Sequence, residues 1–134
     1  MALIMWSDDY SVGVDSLDTD HISLVGIINQ IDEATRFMAD KAAINGLLRA
    51  LVDHTRSHFQ REEALLKKSG YVNLEEHMAL HQEMTEKLVA LQQSYEQSSD
   101  PELGDDALEF LCTWFDEHVL EVDRRYKTSD ICST

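Results

Sequence analysis

Apolar residues recur at helical spacing through almost the whole chain, and no stretch alternates as a strand would. Ile22, Val25, Ile28 and Ile31 share one stripe of "DTDHISLVGIINQIDEATRFMAD", and Ile44, Leu47, Leu48, Leu51 and Val52 share one stripe of the next segment. Stripes of this width bury against a neighbouring helix. Ser16 or Asp18 supplies a capping oxygen for the first segment. The second runs from Asp40 to Lys68 and closes at Gly70, a C-cap residue type. The third opens at Asn73, with Glu76 three residues on in the relation of a capping box. The fourth follows "SSDPELGDD", where Asp100 before Pro101 and Asp105 after Gly104 are alternative caps, and extends through "ALEFLCTWFDEHVLEVDRRY". Long helical segments joined by short loops predict an all-α fold, an up-down-up-down four-helix bundle with an N-terminal arm. The chain reads as one domain over 1–134, with the arm at 1–15, the bundle at 16–128 and a tail at 129–134.

Charge and composition remove several classes of partner. With 26 acidic against 11 basic residues the formal charge is -15, which repels phosphate backbones and anionic lipid, so no nucleic-acid partner is expected. No segment carries the ~20 uninterrupted apolar residues that membrane insertion needs. "MALIMWSDDY" lacks the basic leader of a secretory signal, and Cys112 and Cys132 do not make a disulfide framework. A cytoplasmic monomer is the expectation.

Every helical segment carries a histidine: His21 on the first, His54 and His58 on the second, His77 and His81 on the third, His118 on the fourth. One histidine on an apolar face is more often a hydrogen-bonded core residue than a ligand, but this distribution is harder to dismiss. His77 and His81 form an i, i+4 pair whose rings can close on one metal, and His58 with Glu62 offers the same spacing in nitrogen and oxygen. Asp123 follows His118 by five residues, which at ~100° per residue leaves the two about 140° apart on a regular helix. A π-bulge would bring them nearly into line.

The set "DTDH", "HFQREE", "HMALH" and "HVLEVDRRY", in this order on four consecutive helices, resembles the hemerythrin family in its bacterial single-domain form, from Trp6 to Tyr126. That resemblance implies a non-haem centre of two iron ions bridged by oxide or hydroxide. It assigns His77, His81 and His118 to one iron, His21 and His58 to the other, and Glu62 and Asp123 as bridges, while His54 is no ligand position. It further implies an apolar ligand pocket at Leu24, Phe59, Trp114, Phe115 and Val119, with Tyr126 near the bridge. Two residues depart from the family's habit: Asp20 stands where glutamine is common, which changes local charge more than ligation, and Phe115 replaces a pocket leucine.

Such a ligand set leaves one coordination position open, on the iron with two histidines, and the resemblance implies reversible O2 binding there, with azide and other small anions as analogues. Oxygen storage, delivery or scavenging follows as the expected function, with no enzymatic turnover. O2 or redox sensing through a partner is the alternative within the family, so an oxygenase or a receptor is the expected partner. A ferritin-like di-iron oxidase or peroxidase would use Glu-x-x-His motifs, and no glutamate here stands three residues before a histidine. A structural zinc site is disfavoured because seven ligand positions exceed a closed tetrahedral shell.

Overall fold

A computed structural model describes residues 4–7, 10–11, 15–100 and 102–118. Four helices follow in order, α1 (Asp15–Arg36), α2 (Lys41–Lys68), α3 (Leu74–Gln97) and α4 (Asp105–Asp116), and no strand occurs among the described residues. Side-chain contacts set the directions. Asp20, early in α1, meets Arg61, late in α2, while Asn45, early in α2, donates to Glu96 Oε1, late in α3, at 3.2 Å. Late in α4, Asp116 receives the Tyr10 hydroxyl from just before α1 at 3.0 Å. Neighbouring helices therefore run antiparallel, the up-down-up-down bundle predicted.

The core follows the helical stripes, with one correction. Val25, Ile28, Ile31, Ile44, Leu48, Leu51 and Val52 are buried, but Ile22 is 48% exposed and Leu24 takes its place on the inward face. Leu88, Leu111 and Phe115 complete a continuous interior. Each such side chain contributes about 1.5–3 kcal/mol of transfer free energy.

Caps explain the boundaries. Asp40 accepts a hydrogen bond from the Ala43 amide at 2.8 Å and starts α2. Gly70, with φ +71, ends it: its own amide reaches Lys67 O at 3.2 Å and the Tyr71 amide reaches Leu66 O at 3.0 Å, a Schellman cap. The end of α1 repeats that cap with a different residue. Met38 takes φ 56, its amide reaches Thr35 O at 3.2 Å, and the Ala39 amide reaches Ala34 O at 2.9 Å. Asn73 occupies the N-cap of α3 but accepts no capping hydrogen bond on its side chain. Gly104 is the N-cap of α4, so Asp105 is already helical and Asp100 lies outside the helix. Asp100 and Asp105 were the alternative caps expected, and neither takes the position; the first-turn acids Asp105 and Asp106 instead face the positive end of the helix dipole.

The N-terminal arm is held against the bundle. Ile4 donates its amide to Asn29 Oδ1 and accepts from Asn29 Nδ2, both at 2.9 Å. Trp6 stacks on Tyr10 with centroids 5.6 Å apart, and Tyr10 packs on Phe115 at 5.5 Å.

Candidate metal centre

One buried carboxylate organises the histidines. Glu62, fully buried on α2, turns Oε1 toward α3, where His77 Nε2 is 2.6 Å and His81 Nε2 2.9 Å away. Its Oε2 faces His58 Nε2 at 3.0 Å, His21 Nε2 at 3.9 Å and His118 Nε2 at 4.0 Å. Helical register explains the convergence. His58 and Glu62 are one turn apart on α2, His77 and His81 one turn apart on α3, and the antiparallel packing brings these ends together with the start of α1.

The nitrogens are spaced as neighbouring ligands of one cation are. His21 Nε2 lies 2.9 Å from His58 Nε2 and 3.3 Å from His118 Nε2, and the last two are 3.2 Å apart. Metal–nitrogen bonds of about 2.1 Å place adjacent ligand atoms roughly 3 Å apart. Two groups result, His21, His58, Glu62 and His118 on one side and Glu62, His77 and His81 on the other, all buried. The resemblance put His118 with His77 and His81; here its Nε2 faces His21 and His58. Its ring stands nearly midway, with centroids 5.2, 5.3 and 5.5 Å from those of His21, His58 and His81.

Electrostatics favour deprotonated ligand atoms. Burial pushes the Glu62 carboxyl up, but the imidazoles of His58, His77 and His81 around it hold it well below the usual carboxylate range. Burial pushes the His118 imidazole well below its ordinary value; the Glu62 charge opposes this, and His58, His81 and His77 reinforce it.

Carboxylates also meet the far nitrogens of the ligand rings. Asp20 Oδ2 lies 3.1 Å from His58 Nδ1, and Glu63 Oε2 lies 2.7 Å from His81 Nδ1. Arg61 clamps Asp20 with two bonds of 2.9 and 2.8 Å. Although burial pushes the Asp20 carboxyl up, hydrogen bonds from His58 and Arg61 hold it well below the carboxylate range. Sequence reasoning credited Asp20 with a change of charge only and missed Glu63 and Arg61. The one signal for Glu63 was its place beside Glu62 in "QREE".

Of the expected pocket residues, Leu24, Phe59, Trp114 and Phe115 are buried beside the histidines. Phe115 meets the His21 ring edge-on at 6.3 Å, and Trp114 stacks toward His118 at the same centroid separation of 6.3 Å. His54 is exposed, away from the cluster. Val119, Asp123 and Tyr126 lie outside the described residues. The chain widens into a π turn at 117–118; the stretch from His118 to Asp123, where the spacing asked for a bulge, continues outside the described residues.

The donor set fits a cation. Glu62 Oε2 and His81 Nε2 are buried, and their contacts at 3.0 Å and 2.9 Å lack hydrogen-bond geometry. Acceptor lone pairs left this way in a protein interior are costly, and a metal ion satisfies them. Imidazole with carboxylate suits iron, whereas the thiolates that softer ions prefer are absent from the cluster.

Known proteins resemble this chain in sequence and in fold. The chain is 28% identical over 126 residues to a bacteriohemerythrin of Stenotrophomonas maltophilia (strain R551-3), covering 94% of this chain and 80% of that protein. It is 32% identical over 123 residues to the myohemerythrin of Riftia pachyptila, covering 92% and 90%. The crystal structure of wild-type hemerythrin superposes with a TM-score of 0.87 at 25% identity, over 99% of this chain and 100% of that one. With the profile of the hemerythrin HHE cation binding domain matching residues 12–128, this chain belongs to the hemerythrin family.

Proposed function

We propose that this protein binds O2 reversibly at two iron ions bridged by oxide or hydroxide, as a carrier for storage, delivery or scavenging rather than as an enzyme. The observation that carries this reading is the sharing of one buried carboxylate, Glu62, between histidines on either side of it. In the proposed assignment His77, His81 and His118 hold one iron and His21 and His58 the other, with Glu62 and Asp123 as bridges. The assignment of His118 to the His77 and His81 side is supported by its ring lying almost as near to His81, at 5.5 Å, as to His21 and His58, at 5.2 and 5.3 Å. A pair of ferrous ions supplies the two electrons that reversible O2 binding draws on. Protein side chains do the rest: Asp20 and Glu63 orient His58 and His81 through their Nδ1 atoms, and Leu24, Trp114 and Phe115 keep bulk water from the open side.

A cytoplasmic monomer serving an oxygenase or a receptor belongs to the same proposal. Among the described residues, no helix is long and apolar enough to cross a membrane. Anaerobic reconstitution with ferrous iron tests the reading: two irons per chain and an optical band that appears with O2 and disappears on its removal are expected. One iron per chain, or irreversible oxidation on first exposure, would overturn it.

A further inference from the structure

Threonines in helices usually turn the hydroxyl back to the carbonyl four residues earlier. Thr19 does so to Asp15 O at 2.9 Å, Thr35 to Ile31 O at 2.8 Å, and Thr85 to His81 O at 2.8 Å. Thr55 does not: its Oγ1 is buried, and the residue as a whole is 0% exposed, yet it makes no hydrogen bond to any described residue. An unmatched buried hydroxyl is destabilising, and here a partner one turn away is left unused.

Its position suggests why. Each helix of the bundle places a residue one turn from its histidine toward the interior: Leu24 from His21, Thr55 from His58, Met84 from His81, and Trp114 and Phe115 from His118. All are buried, at 1%, 0%, 7%, 2% and 0% exposure. Helical register sets these five residues one turn to the same side of the imidazoles, and among them Thr55 carries the one hydroxyl. The indole of Trp114 is already engaged, donating to Met84 O at 3.0 Å. Nearby, Tyr10 gives its hydroxyl to Asp116. Thr55 also stands two turns before Glu62, on the same face of α2.

We propose that the Thr55 hydroxyl is the hydrogen-bond donor of the ligand pocket, meeting a small anion or polarised diatomic ligand on the His21 and His58 side. The inference rests on the di-iron reading above. A donor aimed from an apolar layer raises affinity for ligands that carry negative charge over those that do not.

The test compares Thr55→Val, which keeps the shape and removes the hydroxyl, with Thr55→Ser, which keeps the hydroxyl. In the iron-loaded protein, azide should bind about tenfold more weakly to Thr55→Val, with most of the loss restored in Thr55→Ser. In the metal-free protein, Thr55→Val should melt no lower than the parent, because no protein hydrogen bond is lost. Thr55→Ala, free of any overpacking, is read in the same way should the valine variant lose iron. Full-strength azide binding by Thr55→Val or Thr55→Ala with both irons retained overturns the inference alone. A metal-free Thr55→Val that melts several degrees lower overturns it too, by showing that the hydroxyl serves the fold. A parent protein that takes up neither iron nor azide overturns the di-iron reading itself.

Discussion

Phe59 lies flat against His81, with ring centroids 3.8 Å apart and planes 2° from parallel. The stack holds one face of the imidazole while Glu63 holds its Nδ1, so Nε2 is left pointing at Glu62 Oε1. Phe59→Leu keeps an apolar side chain but removes the stack, worth about 0.5–1.5 kcal/mol beyond burial. Helix content should stay as it is while iron leaves to a competing chelator several-fold faster. Equal release rates would mean that Glu63 alone suffices to aim His81.

The carboxylates behind the ligand rings act in the same way from the other side. Glu63→Gln and Asp20→Asn each replace a charged acceptor by an amide, and each should weaken iron retention by about tenfold to a hundredfold. Arg61→Ala should have a smaller effect, since it loosens Asp20 without removing its contact with His58. Chelator competition on the three variants gives the ranking, and a larger loss for Arg61→Ala would show that the guanidinium matters in its own right.

Iron removal should lower the melting temperature, because five buried imidazoles and the Glu62 carboxylate lose the cation that balances them. Glu62→Ala should reduce the iron content far more than His54→Ala, whose side chain is exposed. Identical melting with and without iron, or equal iron loss in the two variants, would contradict the site as drawn.

Phe115→Leu tests the pocket wall. The ring touches Tyr10 on one side and His21 on the other and offers no ligand atom. The variant should keep both irons and its fold at a cost of less than about 1.5 kcal/mol, while the rates of azide entry and of autoxidation change. Unchanged rates would make Phe115 ordinary core.

Met38→Gly addresses stability alone. Met38 is 81% exposed and holds φ 56 in a cap that α2 closes with Gly70. Relief of the left-handed strain, about 1 kcal/mol, is partly offset by the freer unfolded chain, so a gain of about 0.5 kcal/mol is expected in denaturant titration. A loss would show that the methionine side chain has a contact in solution that offsets its strain.

Helical period made the cluster legible in the sequence: His58 with Glu62 and His77 with His81 each stand one turn apart, and such pairs project together whatever surrounds them. The bundle was legible for the same reason. What stayed hidden depends on the rotation of one helix against another. Asp20 and Glu63 are chain neighbours of ligands, and a helix sends adjacent residues about 100° apart; only the packing of α1 on α2 and of α2 on α3 turns them onto the far nitrogens of His58 and His81. Ile22 was misplaced by the same ambiguity, since its stripe and that of Leu24 overlap until a neighbour selects between them. At α4, two aspartates competed for a cap that went to Gly104.

The contacts around His21 also set an order in time. Its partner His58 lies 37 residues away, but His118 lies 97 residues away, and Tyr10 waits 106 residues for Asp116. A chain made from its amino terminus holds the first three helices before any of α4 exists. Until then the cluster lacks its fifth imidazole, the layer beneath it lacks Trp114 and Phe115, and Tyr10 lacks both Asp116 and Phe115. Synthesis of the last helix thus completes the ligand cluster and its cover together, so a half-made protein offers passing metal ions an open and incomplete set of ligands, and the finished one a closed one.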